Sequence, residues 1–158
     1  MQKITPFLWF DHQAEEAALF YTSIFKNAKI TQVSRFGDGN HGEPGSVMTA
    51  AFELEGQSFV ALNGGPYFKF TEAVSFYIHC ADQAEVDHFW ERLTADGGEP
   101  GQCGWLKDKF GVSWQVVPDV LIELMNDPDT VKANRVTQAM LKMTKIDIAE
   151  LKRAYEQA

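Results

Sequence analysis

Between Ala73 and Cys80 the chain alternates, with Val74, Phe76 and Ile78 on one side and Ser75, Tyr77 and His79 on the other. That period of two is a strand. From Asp82 the period lengthens: Val86, Phe89, Trp90 and Leu93 recur at three- and four-residue spacing, the apolar face of a helix. The same strand–helix unit occurs once before, at an offset of 69 residues, which takes Phe7 to Phe76, Ala17 to Val86, Phe20 to Phe89, Tyr21 to Trp90 and Ile24 to Leu93. A unit used twice predicts two similar halves.

Taken in order, the first half predicts a strand at 4–10 and then a helix at 13–25, with Asp11 as its N-cap and Asn27 near its stop. A strand at 29–36 follows, then a glycine-rich loop from Gly37 to Gly45. Strands at 47–54 and 57–62 meet at Glu55-Gly56, a tight hairpin signal. Residues 67–72 link the halves. The second half predicts a strand at 73–79, a helix at 82–95, a turn at 96–98, a strand near 101–106, a turn at 107–111 and a strand at 112–117. Its last hairpin echoes the first at a shorter offset of 55 residues, Gly56-Gln57-Ser58-Phe59 beside Gly111-Val112-Ser113-Trp114.

Pro118 opens a helical tail. Leu121, Ile122, Leu124 and Met125 form a short amphipathic turn, and Asp127-Pro128-Asp129 breaks and caps a helix reaching about Met143. Thr144-Lys145-Ile146-Asp147 resembles a capping box for a last helix at 146–156. The expected architecture is α+β: one domain over 1–158, with βαβββ modules at 1–66 and 70–118 and a tail at 119–158 that covers a sheet face or edge.

A chain of 158 residues with 45% hydrophobic and 13% aromatic content can bury a proper core. Its net charge of −8 and scattered lysines and arginines argue against nucleic acid, which needs a basic stripe, and against anionic membrane. No apolar run approaches the roughly 20 residues that span a bilayer. Met1-Gln2-Lys3 leads into a strand rather than a leader segment. Cys80 and Cys103 read as free thiols, and the expected compartment is the cytoplasm.

Several local motifs carry a closer resemblance. These are Pro6-Phe7-Leu8-Trp9-Phe10-Asp11, Ala14-Glu15-Glu16-Ala17 with Phe20-Tyr21, Ala61-Leu62-Asn63-Gly64-Gly65-Pro66, Phe70-Thr71-Glu72-Ala73-Val74-Ser75-Phe76, Gln102 to Gly111, and Ser113-Trp114-Gln115. With the paired βαβββ order they resemble the PhnB-like branch of the vicinal-oxygen-chelate superfamily, the glyoxalase, bleomycin-resistance and extradiol-dioxygenase group. That branch is often labelled a 3-demethylubiquinone-9 3-methyltransferase domain. The resemblance implies curved sheets around a concave pocket, often completed in a homodimer.

Superfamily enzymes hold a divalent metal through four side chains, and on this sequence the matching positions fall near Ile4, Val60, Ala73 and Gln115. One neutral amide among three apolar residues cannot satisfy such an ion, so no metal site is expected. His79 is the nearest substitute ligand, with no second histidine or carboxylate expected opposite it. His12, His41 and His88 read as solvated. Cys103 reads as a small residue in a strand, without a partner to activate it. A methyltransferase reading needs a glycine-rich loop after the first strand; here that strand ends Phe10-Asp11-His12-Gln13, and Asn63-Gly64-Gly65 precedes proline. No S-adenosylmethionine motif is seen, and no cofactor is expected.

A pocket remains. Period two places Ser113, Gln115 and Val117 on one face and Ser75, Tyr77 and His79 on another, with Ile4, Pro6, Leu8 and Phe10 opposite. Ligand-binding candidates are Ser75, Tyr77, Ser113, Gln115, Asn63 and Trp105; Asn63 could equally cap a turn, and Trp105 could equally be core. The expected function is metal-independent binding of a small, largely apolar organic molecule. Two alternatives stand: an enzyme of lyase, isomerase or quinone-directed transferase type using His79 or Tyr77 as acid or base, and a dimeric interaction scaffold.

Overall fold

The computed structural model describes residues 2–39 and 42–157, so His41 lies outside the described residues. The chain divides into two compact units, one through Phe70 and one from Thr71 onward.

In the first unit the order is β1 (Phe7–Phe10), α1 (Ala14–Ile24), β2 (Ala28–Arg35), β3 (Val47–Leu54) and β4 (Gln57–Asn63), with the sheet arranged β1-β4-β3-β2. β1 and β4 run parallel, and the remaining pairs are antiparallel. Glu55 and Gly56 both have φ near the left-handed region, at 50° and 83°, the conformation that a two-residue hairpin requires. The core lies under α1: Ala14, Ala17, Ala18, Tyr21 and Ile24 are buried, with Phe52 and Phe59 stacked 5.4 Å apart beneath.

The second unit repeats the order with β5 (Ser75–Cys80), α2 (Gln83–Thr94), a 3-10 turn (Ala95–Gly97), β6 (Glu99–Pro100), β7 (Trp105–Lys107) and β8 (Ser113–Pro118). Its sheet is β5-β8-β7-β6, again with the first and last strands parallel. Val86, Phe89, Trp90 and Leu93 of α2 are all buried, as their spacing required. The helix is capped by Asp82, whose carboxylate accepts from Glu85 N at 2.9 Å.

The tail folds as α3 (Asp119–Met125), α4 (Thr130–Met140) and α5 (Ile148–Glu156) within this second unit. Val117, Leu121, Val136, Ile146 and Leu151 form its core. It is sewn to the sheet edge by backbone: Cys103 N donates to Met143 O and Gly104 N to Thr144 O, both at 2.8 Å. Gln83 adds a side-chain clamp, donating to Ile146 O at 3.0 Å and accepting from Ile148 N at 2.8 Å.

Several local expectations need correction. Asp11 does not cap α1: the N-cap position is Gln13, without a side-chain cap bond, and the Oδ1 of Asn63 accepts from Ala14 N at 2.8 Å instead. α5 is capped by Asp147 through Glu150 N, one turn beyond the Thr144 box, because Ile146 is drawn fully into the tail core. The strand expected near 101–106 is two short strands with a turn between them. Gly101 N bonds Trp105 O at 2.8 Å, and Cys103 and Gly104 adopt φ of 59° and 86°. Cys103 therefore sits in a turn and not in a strand.

The repeat itself slips by one. Leu8 and Phe10 are buried, as are Ile78 and Cys80, which makes the strand offset 70 residues while the helices keep 69. The link Asp11-His12-Gln13 is one residue longer than Ala81-Asp82, and that residue absorbs the slip. A one-residue shift moves every strand side chain to the opposite face.

Candidate functional site

The face of the second sheet opposite Phe76, Ile78, Trp114 and Val116 gathers the sequence-predicted residues. Pairing sets Ser75 beside Ser113 and Ser113 beside Lys107, which in turn pairs with Glu99. One step along the strands, Tyr77 pairs with Gln115 and Gln115 with Trp105. Paired residues project to the same side, and alternation puts both rows on one face. Rows two residues apart are separated by about 7 Å, and strands by about 5 Å. Five predicted residues, Ser75, Tyr77, Ser113, Gln115 and Trp105, thus form a lattice.

Within it, Gln115 Nε2 donates to Ser75 Oγ at 3.0 Å. Ser113 is 1% exposed, and its hydroxyl has no hydrogen-bond partner. Lys107 Nζ forms an ion pair with Glu72. Their hydrogen bond holds the Glu72 carboxyl below its ordinary range and raises the Lys107 ammonium above its own. A cavity of about 130 Å³ opens beside Ser113, walled by Glu72, Glu99, Gly101, Trp105 and Lys107 among others.

At the far end of the face stands a second cluster. His79 Nδ1 lies 3.4 Å from Asp119 Oδ1, and the His79 ring is 4.7 Å from that of Tyr77. The expectation that no carboxylate stands near His79 is thereby corrected: Asp119 is the first residue of α3, folded back against β5. Burial raises the Tyr77 hydroxyl above its ordinary value, with the Asp119 charge adding to the shift. A carboxylate within reach of one imidazole nitrogen can orient the ring, with both side chains open to solvent.

Asn63 stands apart, in the first unit. Its Oδ1 accepts from Ala14 N, and its Nδ2 donates to Val47 O at 3.0 Å. The amide therefore ties α1 and β3 to the end of β4. It also lines a cavity of about 960 Å³ with Trp9, Glu16, Thr49, Leu62 and Tyr67. Of the apolar residues expected to face a ligand, Leu8 and Phe10 lie on the buried face of the first sheet because of the register slip, while Phe7 is 60% exposed on the other.

Other groups that the sequence pattern does not single out surround or support the lattice. Lys107 follows Trp105 by two in β7, and alternation sets both on the same face. Glu72 and Asp119 come from outside the strands and carry no local signal. Asp108 is the least legible. It is 3% exposed, with Oδ1 accepting from Phe110 N and Val112 N at 2.9 and 3.1 Å and Oδ2 from Trp114 Nε1 at 2.9 Å. It builds the β7–β8 turn and so sets Lys107 against Ser113.

The metal positions of the superfamily do not fit a divalent ion. Ile4, Val60 and Ala73 offer no donor atom on their side chains, which leaves the neutral amide oxygen of Gln115 as the one possible ligand of the four. The strand neighbours of Val60 are Phe7 and Ala51, and those of Gln115 are Tyr77 and Trp105, so no imidazole or carboxylate stands in for the missing ligands. Among the described residues no three of His, Cys, Asp and Glu converge on one point. S-Adenosylmethionine fits no better in its usual manner: the β1–α1 turn has no glycine, and the Ala14 N–H that would face a ligand is taken by Asn63. Among the described residues no helix is long and apolar enough to cross a membrane.

Comparison with known proteins bears on the family and the fold. Residues 2–117 match the family model described as 3-demethylubiquinone-9 3-methyltransferase. A PhnB protein from Bacillus cereus is 38% identical, with a TM-score of 0.68 over 74% of this chain and 99% of that one. Protein PA1353 from Pseudomonas aeruginosa, 21% identical, shares the fold with a TM-score of 0.63 over 75% of this chain and 98% of its own. The fosfomycin resistance protein FosX from Listeria monocytogenes, 16% identical, does so at 0.52 over 78% and 97%. No curated protein matches. The matched region places the chain in the 3-demethylubiquinone-9 3-methyltransferase (PhnB-like) family, and its paired βαβββ fold is one that the fosfomycin resistance protein shares.

Proposed function

We propose that the chain is a metal-independent binder of a small, largely apolar organic molecule, held on the Ser75–Tyr77–Ser113–Gln115–Trp105 face of the second sheet. The observation that carries this is the strand register, which brings five separately predicted residues onto one face. Tyr77, 38% exposed, and half-buried Trp105 supply apolar area, while Ser75, Ser113 and Gln115 supply a few directed hydrogen bonds. Native mass spectrometry, elemental analysis and a saturating ligand screen by NMR test it together. A retained organic mass, or ligand-induced shifts at Tyr77, Trp105 and Gln115, is expected. A stoichiometric divalent metal would remove the metal-independent part; no retained mass and no shift with any ligand would remove the binding reading.

A second reading is favoured by the His79–Asp119 contact beside Tyr77. Here the chain is a lyase, isomerase or transferase with His79 or Tyr77 as acid or base. His79→Ala or Tyr77→Phe should then cost orders of magnitude in turnover with folding intact, and unchanged turnover dismisses it. We further propose a cytoplasmic homodimer, supported by the exposed Phe7, Tyr67 and Phe68 of the first unit; a monomer in sedimentation at micromolar concentration would refute the dimer.

A further inference from the structure

We infer that the cavity beside Ser113 is the polar end of the binding site and that it takes an uncharged oxygen function, a carboxamide or related carbonyl-bearing head, whose apolar body lies across Trp105 and Tyr77. The inference rests on the binding reading above and deepens it.

The first ground is the orphaned hydroxyl. Ser113 is buried, and its Oγ is unpartnered. A buried hydroxyl without a partner costs about 1–3 kcal/mol, and such groups are rare in folded chains. Alanine would fill the same position without that penalty, so in the free protein the hydroxyl is a net cost. The Lys107 side chain stands next to it across the β7–β8 pair, tied through its ammonium to Glu72. Both residues line the cavity, and a head group entering between them has to compete with a partly exposed ion pair worth only about 0–1 kcal/mol.

The second ground is the charge around the cavity. One ammonium, Lys107, faces two carboxylates, Glu72 and Glu99. The local sum is one negative charge, which disfavours a carboxylate or phosphate. An ammonium ion would meet Lys107 and would bring no lone pair for it. A carboxamide satisfies the set: its oxygen accepts from Ser113 and Lys107, and its N–H donates to a carboxylate. The volume, about 130 Å³, suits a head of a few heavy atoms, since one water occupies about 30 Å³. The next row of the lattice, about 7 Å away, holds Tyr77, Gln115 and Trp105, where a ring or short chain attached to that head would lie.

Three aryl probes of similar size, benzamide, benzoate and benzylamine, test this on the isotope-labelled full chain by NMR titration. Benzamide is expected to shift the backbone resonances of Ser113, Lys107 and Trp105 at millimolar concentration, at least tenfold more tightly than benzoate or benzylamine. Ser113→Ala should abolish that preference while raising, or leaving unchanged, the melting temperature of the free protein. Equal or tighter binding of benzoate or benzylamine at these residues would overturn the head-group assignment and leave the binding face standing. No shift with any probe would overturn the assignment, and the separate ligand screen then decides the face itself. A Ser113→Ala variant that keeps the benzamide preference would likewise overturn it, and Ser113→Thr, which keeps the hydroxyl, controls for packing.

Discussion

Removing the Asp108 carboxylate should loosen the β7–β8 turn and, with it, the lattice. Asp108 Oδ1 accepts from Phe110 N and Val112 N, and Oδ2 from Trp114 Nε1, all within 3.1 Å. The Val112 and Trp114 bonds are buried. Asp108→Ala strands both of those donors, each at about 1–3 kcal/mol, so a loss of about 2–6 kcal/mol is expected. Asp108→Asn keeps Oδ1 for the two backbone donors but turns an amide N–H toward the indole N–H. That opposes donor to donor at one bond only, and about 1–3 kcal/mol should be lost. Urea unfolding followed by circular dichroism measures both variants. A double-mutant cycle with Trp114→Phe isolates the indole bond, and a coupling of about 1.5–3 kcal/mol is expected for a hydrogen bond to a charged group. If Asp108→Asn unfolds within about 0.5 kcal/mol of the parent and the cycle shows no coupling, the Asp108 network does not hold the turn.

Other consequences can be checked alongside it. Asn63→Ala removes both a side-chain bond that caps α1 and the tie to Val47, so the variant should unfold about 1–3 kcal/mol more easily than the parent. Desolvation, with help from the Glu85 charge, pushes the Cys80 thiol up to about 12. The unfolded chain releases this proton at the ordinary thiol value while the folded chain keeps it. Stability is therefore intact below that value and falls by about 1.4 kcal/mol per pH unit as pH climbs toward about 12; a Cys80→Ala variant lacking this slope in alkaline urea titrations is the check. Gly104→Ala meets Val116 O at 2.9 Å with φ of 86°, so it should detach Ile146 and the tail; unchanged proteolytic resistance of residues 144–157 would contradict that.

The sequence by itself determined a good deal. Periodicity found both helices that carry the cores, because Val86, Phe89, Trp90 and Leu93 can share a face only at 3.6 residues per turn. It found the repeat, the Glu55-Gly56 hairpin, and the shared face of Ser75 with Tyr77 and of Ser113 with Gln115, since alternation is a local property of a strand. It could not set the offset of the first strand. A single extra residue in Asp11-His12-Gln13 is invisible to a helix-based alignment, yet it reverses which of Phe7 and Leu8 is buried. Nor could it find the groups that act across sequence distance. Asn63 caps a helix 49 residues away, Asp119 meets His79 across 40, and Lys107 meets Glu72 only after the chain folds. Those pairings are decided by strand register and by where α3 turns back. The orphaned Ser113 hydroxyl is likewise a property of packing: serine at that position reads as an ordinary strand residue until the sheet closes around it.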